Sequence, residues 1–331
     1  MKKYITLIFL FFFGCEDNIT NESMSALTFI ATEGTYGDGN GEINVCQGDE
    51  IIQTISNVGD VVQSLLVNED KLFVIINNSH LIKRYSISKT GLSLPGIEII
   101  TGNSSPREMV IVNNKLYFTN WNTQDIKVLN LDTYSIESSI SVDGLPEDIV
   151  SDGYFLWVSI PMLSDFTTNS KVVKVDILTE QIIEEFEVGS GPERMTLDGK
   201  DLWISRTFYD TNWSSFYGSS RIDTQTGEVT LLNYGAGTVC GGDMMLINDM
   251  VYRTSSFGVV ALDWDLNLNQ SAKIGSYNSV YSAGASQNSV FIGVSDFVAP
   301  DTVLVHNELG NLLHTYIVGI SPGDYAIWDI R

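Results

Sequence analysis

Histidine, cysteine and positive charge are all scarce in this chain. Three histidines in 331 residues leave little for a zinc centre, which needs several imidazole or thiolate ligands. His306 and His314 fall within strand-like stretches, and only His80, in the loop phrase Asn77-Asn78-Ser79-His80, belongs to a connection. No serine occupies a G-x-S-x-G elbow, so that route to an activated hydroxyl is closed. Of the three cysteines, Cys15 ends an apolar leader, while Cys46 and Cys240 lie in well-separated stretches. A disulfide between them is not expected, and both read as small core residues. Eighteen Lys and Arg face 41 Asp and Glu, for a formal net charge of −23. Such a chain repels nucleic acid and anionic lipid head groups. There is no Pro/Ser-rich linker, no block of like charge and no second long apolar run. The body of the chain therefore reads as one domain.

The leader is what the first 15 residues supply. MKKYITLIFLFFFG places two lysines before an unbroken apolar run, the pattern of a secretory signal, and the run is short for a bilayer span. Phe12-Phe13-Gly14-Cys15 resembles the bacterial lipobox, in which the cysteine receives lipid and becomes the first mature residue. The expected layout is a signal peptide over 1–15, a polar tether over 16–26 and a folded domain over 27–331. Loss of Lys2 and Lys3 with the leader makes the mature chain more acidic still, at −25.

The folded part repeats. Asn103–Thr119, Asp143–Ser159 and Glu187–Ser205 share one phrase: a Pro-containing turn, a strand, a tight turn and a second strand. In each, an apolar residue follows Pro by three and the next strand starts seven later, as in Met109 and Leu116, Ile149 and Leu156, Met195 and Leu202. Weaker copies place the Pro position at Val62, Gly241, Val280 and Pro322, so seven copies recur at steps of 39 to 49 residues. A period in this range built only of strands indicates β-propeller blades. Each blade reads as four antiparallel strands, A to D from the channel outward. Asp132, Asp176 and Asp223 are expected to hold the C–D turns, since Asp bonds its own backbone there. Six blades are complete. The seventh needs strands B, C and D from residues 27–56 and an innermost strand A from 322–330. That closure removes the last free sheet edge.

Several phrases resemble a known family. ATEGTYGDGNGEI (31–43), VGDVVQSLLV (58–67), VIINNSHLIKRY (74–85), SPREM (105–109) and LPEDIV (145–150) are similar to signature phrases of YncE-like, YVTN-repeat lipoproteins of Bacteroidetes. Thr32 and Tyr36 stand where Asn and Phe are more usual. The resemblance implies a seven-bladed propeller at the outer membrane, facing the cell surface or the periplasm and tethered through lipid on Cys15 alone. Some members of the family capture cobalamin for a TonB-dependent transporter, which implies a corrinoid ligand and such a receptor as partner, with the chain otherwise a monomer.

In a propeller the B–C and D–A connections share one face. Two B–C connections read as long loops, Ile160–Ser170 and Arg206–Ser220. They carry Phe166, Phe208, Tyr209, Trp213, Phe216 and Tyr217, and Trp121 lies in a shorter one. Tyr36, Phe257 and Phe297 hold corresponding places. Aromatic rings interspersed with hydroxyls and amides suit a flat or sugar-like ligand, with Asn77 and Asn78 as polar partners. The D–A corners add Arg107 and Arg194 among Glu108, Glu147, Asp148, Glu193, Asp243 and Asp324 at the channel mouth, as ligand contacts or as mutual salt bridges. Asp38–Glu42 has the look of a calcium loop but lacks its first and last ligands, so a hairpin turn explains it. The expectation is a binding protein without catalytic residue, metal or cofactor. An adhesive or scaffolding propeller and a lyase using His80 are the alternatives.

Overall fold

The computed structural model describes residues 26–237, 242–286 and 288–329. The signal segment with Cys15, the tether up to residue 25, and Cys240 and Gly241 lie outside the described residues. The rest is all-β: seven sheets of four antiparallel strands. Blade 1 pairs Pro322–Trp328, Leu27–Thr32, Gly41–Gln47 and Glu50–Gly59 in that order outward. Blades 2 to 7 follow in chain order, with innermost strands Val62–Asn68, Pro106–Val112, Ile149–Ser151, Pro192–Asp198, Met244–Ile247 and Val280–Ala285. Each innermost strand touches the next, and Pro322–Trp328 touches both Val62–Asn68 and Val280–Ala285, so the ring is closed. Residues 322–328 pair with Leu27–Thr32 from Leu27↔Trp328 to Thr32↔Pro322, as the leftover strands require. Among the described residues no helix is long and apolar enough to cross a membrane.

Strands buried on both sides form the core, which is divided among the blade interfaces. Leu27, Val45 and Ile55 of blade 1 pack on Val62, Leu72 and Tyr85 of blade 2. Phe73 and Ile82 meet Phe118 and Leu129 across the next interface, and so on round the ring. Ile30 and Cys46 against Phe291 and Val305 complete it. Cys46 is buried and forms no disulfide, a small core residue as expected. Burial in these interfaces, at roughly 25 cal/mol per Å² of apolar surface, is what a single blade cannot achieve alone.

The C–D turns follow the expected chemistry with one correction. Asp176 Oδ1 accepts from the amides of Leu178 and Thr179 at 2.9 and 2.8 Å, and Asp223 Oδ1 from those of Gln225 and Thr226 at 3.0 Å each. In blade 3 the equivalent acceptor is Asn130, which bonds the amides of Asp132 and Thr133; Asp132 is two places further on. The chain turns at 36–38, with Gly37 and Gly39 at positive φ, and Gly41 and Glu42 already belong to the next strand.

The two long B–C loops are not loops. Blade 4 extends its ladder as far as Met162↔Thr168. Blade 5 pairs Phe208↔Phe216 and Tyr209↔Ser215. Only 163–167 and 210–214 connect the strands. The Ser, Gly and Asn content of 206–220 has a loop-like composition, but aromatic and β-branched residues meet across the hairpin.

Candidate functional site

Two rings of side chains line the top of the channel, and both follow from the repeat. The residue after the Pro position points to the mouth: Gly323, Gln63, Arg107, Glu147, Glu193, Gly242 and Tyr281 in blades 1 to 7. The next residue belongs to the ring below: Asp324, Ser64, Glu108, Asp148, Arg194, Asp243 and Ser282. The lower ring binds neighbouring blades together. Asp148 accepts from the Met195 amide at 2.6 Å, Asp243 from that of Ala283 at 2.7 Å, and Asp324 from that of Leu65 at 2.6 Å. Arg194 lies among these acids, paired with Glu108 and 3.9 Å from Asp243. Burial still pushes the carboxyls of Asp148 and Asp324 well above the usual range, and that of Asp243 to about 6.

Above them opens a cavity of about 740 Å³. Its floor is rigid. Thr119 and Ser159, near the ends of their B strands, donate to the Glu147 and Glu193 carbonyls of the following blade at 2.7 and 2.6 Å. The mouth divides into two arcs. On the side of blades 2 to 4, Arg107 grips Glu147 through two parallel bonds of 2.9 and 2.6 Å and donates to Gln63 at 2.9 Å. Its guanidinium lies 4.6 Å from the centre of the Trp121 ring. Burial pushes Glu147 up, but Arg107 outweighs it and holds the carboxyl below the usual range.

The opposite arc carries acid without a matching base. Glu193 has no ion-pair partner among the described residues, and burial raises it to about 7 against the Thr207 hydroxyl beside it and the more distant Arg194 and Arg253. Its carboxyl extends over Gly242, where a Cβ would stand 3.0 Å from Oε2. Glu33 arrives from the B–C connection of blade 1 and fills the place above Gly323, where a Cβ would meet its Oε1 at 2.8 Å. It accepts from the Tyr281 hydroxyl at 2.8 Å. Burial raises Glu33 as well, opposed by Tyr281 and by the more distant Arg107 and Arg194. Thr207 also lines the cavity; it is 8% exposed, and its hydroxyl makes no hydrogen bond of good geometry.

Of the residues singled out in the sequence as ligand contacts, Asn77, Asn78, Arg107, Trp121, Arg194 and Tyr209 line this cavity, as do Tyr36, His80, Glu147, Glu193 and Asp243. Asn77 donates to Pro106 O at 2.8 Å and to Ser105 Oγ at 3.1 Å, so it also ties blade 2 to blade 3. Asn78 is bonded to Asp60 and accepts from Tyr36 at 3.3 Å. Phe166, Phe208, Trp213, Phe216 and Tyr217 are not brought to the cavity. Phe208 and Phe216 stack on one another across their hairpin, centroids 5.8 Å apart. Tyr217 packs on Tyr234 at 5.3 Å, beside the Arg253 guanidinium. Phe166 and Trp213 stand exposed on hairpin tips, Trp213 6.3 Å from Tyr209. The aromatic residues over 206–220 therefore lie along a hairpin, with Phe208, Phe216 and Tyr217 packed on rings of their own blade and Tyr209 and Trp213 exposed.

His80 lines the cavity with its Nδ1 accepting from the Ser105 amide at 3.1 Å, which leaves the proton of the neutral ring on Nε2. His306 is bonded to Tyr277 and His314 to Tyr316, both away from the cavity. Among the described residues no group of three His, Cys, Asp or Glu is placed to hold a metal ion. Glu33, Gln63, Thr207 and Tyr281 were not singled out as site residues. Gln63 and Tyr281 are legible once the position after Pro is compared across all seven copies; Glu33 and Thr207 are not.

No family model matches the chain, and no curated protein matches it. Solved structures do. A Bacteroides fragilis protein provisionally described as a 6-phosphogluconolactonase is 13% identical, with 94% of this chain and 99% of that one covered at a TM-score of 0.65. A functionally unknown protein from Desulfotomaculum acetoxidans is 14% identical over 92% and 99% of the two chains, TM-score 0.64. Apo AztD from Citrobacter koseri is 12% identical over 92% and 98%, TM-score 0.58. At these identities the likeness is one of fold, and the chain is a seven-bladed β-propeller.

Proposed function

We propose that this propeller is a non-catalytic binding protein that takes a small molecule into the channel-mouth cavity. The observation that carries this reading is the cavity itself, about 740 Å³ on a rigid floor, lined by convergent amides, carboxylates and the rings of Tyr36, Trp121, Tyr209 and Tyr281. Concave sites with a few placed polar groups are the usual form of a ligand site. His80 argues for binding over lyase chemistry, since its Nδ1 is engaged by backbone and the ring offers a donor where a base would be needed. The lipobox-like leader supports lipid attachment at Cys15, and the family resemblance supports an outer-membrane, surface-facing position, no cofactor, and delivery to a TonB-dependent receptor.

Within that resemblance a corrinoid is the ligand to test first, because its flat ring and amide fringe suit rings and acceptors on one face. Calorimetry of the protein from residue 21 onward with cyanocobalamin is the test. Binding at tens of micromolar, weakened at least tenfold (about 1.4 kcal/mol) by Tyr209→Ala with Trp213→Ala, is the expected result. Absence of heat and of co-eluting red colour would remove the corrinoid. A second reading, a polysaccharide or protein partner, is favoured by Phe166, Trp213, Phe257 and Phe297, which stand exposed on B–C connections with at least half their surface free.

A further inference from the structure

The two arcs of the mouth differ in charge, and that difference narrows the ligand. Arg107, Glu147 and Gln63 satisfy one another. Glu33 and Glu193 face the same cavity, and among the described residues neither has an ion-pair partner: Tyr281 donates to Glu33, Thr207 lies against Glu193, and Arg194, which acts on both at longer range, is already paired with Glu108. A desolvated carboxylate without a cation is costly and is normally paired. Here two are kept, each with room made for it by a glycine of a neighbouring segment, Gly323 for Glu33 and Gly242 for Glu193. Thr207 adds an independent sign of a missing partner. Its side chain is more than nine-tenths buried and lines the cavity; its hydroxyl is close enough to lower the Glu193 carboxyl yet makes no hydrogen bond of good geometry, and native proteins leave few such atoms poorly bonded.

We infer that the arc of Glu33, Tyr281, Thr207 and Glu193 is a subsite for an organic ammonium ion, the protonated amine of a small ligand. Such a group supplies what the arc lacks: positive charge for two carboxylates and N–H donors for them and for the Thr207 oxygen. The rings of Tyr281 and Tyr209, which line the same cavity, add attraction for a cation over an aromatic face. The net charge of −23 draws cations toward the mouth and repels anions. The assignment rests on the cavity being a ligand site and does not depend on the corrinoid.

The test is titration calorimetry of the purified protein at pH 8 with 1,4-diaminobutane, using butane-1,4-diol as the neutral molecule of the same length and succinate as the anion. The expected result is saturable binding of one diamine per chain in physiological salt, with no heat from the diol or succinate. Glu193→Gln and, separately, Glu33→Gln should each weaken it at least tenfold while the thermal transition stays cooperative. Thr207→Val is a third, uncharged variant that keeps the carboxylates and should weaken it several-fold. Diol binding as well as diamine, many weak sites that vanish with salt, or affinity unchanged in both Gln variants would overturn the subsite. Cobalamin binding without diamine binding would overturn this inference and keep the corrinoid. Diamine binding without cobalamin binding would do the reverse.

Discussion

The mouth of this propeller has two arcs built to opposite rules. Over blades 2 to 4 the charges are matched: Arg107, gripped by Glu147 and stacked on Trp121, closes a network in which each partner completes another. Over blades 5 to 7 and 1 the acids stand apart, Glu193 above one glycine and Glu33 above another. The backbone beneath is the same repeat, so the difference lies in the position after the Pro site and in Glu33, which reaches in from the B–C connection of blade 1. Matched buried charge rigidifies a scaffold; unmatched buried charge is retained at a cost to stability, which is the mark of a site.

The comparison can be broken most severely by removing the floor from one side. Truncation after Gly319 deletes Pro322–Trp328, and with it Gly323, Asp324 and the contacts that close the ring. Cooperative unfolding should be lost or the melting temperature should fall far more than on trimming residues 16–24. Equal melting temperatures for the two truncations would contradict the closure.

The matched arc comes next. Arg107→Ala strands the Glu147 carboxylate, which is 8% exposed, and breaking one partner of a buried pair costs about 3 kcal/mol or more. Urea unfolding should show the midpoint shift; a change below about 1 kcal/mol would mean that the pair is solvent-screened like a surface bridge.

Acidity separates the arcs further. Glu193 titrates near 7 and Asp243 near 6, both raised by burial, and Asp148 and Asp324 are raised in the same way. Their charged neighbours are Arg194, Glu108, Glu147 and Arg253. In the unfolded chain these acids lose their protons near pH 4 to 4.5, while the folded chain still holds them. Stability therefore falls by a few kcal/mol as pH rises from about 5 to 8. Glu147 works the other way and contributes stability that is lost only below about pH 4.5. The urea midpoint should be higher at pH 5.5 than at pH 8, and Glu193→Gln should flatten that slope. A midpoint that rises steadily from pH 5.5 to 8 would contradict the burial of these groups.

The smallest expected effect is at Gly323. A methyl there meets Glu33 Oε1 at 2.8 Å, the far end of a flexible side chain, so Gly323→Ala should cost about 1 kcal/mol or less. Diamine affinity should fall several-fold as Glu33 is displaced. Unchanged affinity would show that Glu33 does not need its glycine.

The architecture was readable because each blade repeats its own punctuation. Pro146 and Pro192, the apolar residue three later and the strand seven beyond recur in register, and an incomplete set at each terminus implied the closing strand. What misled was composition over periodicity. Ser214, Ser215 and Gly218 gave 206–220 the appearance of a loop, although Thr207, Phe208, Phe216 and Tyr217 pair as strand. Asp132 shares its residue type with Asp176 and Asp223, but Asn130 takes the turn by position. The acids and arginines of the mouth were visible as charges, and the repeat shows which belong to one ring. That Arg107 would choose Glu147, leaving Glu193 unpaired, depends on side-chain directions between blades. Glu33 depends on two distant segments meeting, since its place exists only where Gly323 lies beside it.

The most direct test is the melting temperature of Glu147→Gln beside that of Glu193→Gln at pH 8, each substitution removing one carboxylate from the same ring. Matched and unmatched arcs predict that Glu147→Gln, which leaves Arg107 without its partner, melts several degrees below the parent, while Glu193→Gln melts at or above it. Equal losses in the two variants would contradict the division of the mouth into a structural arc and a binding arc.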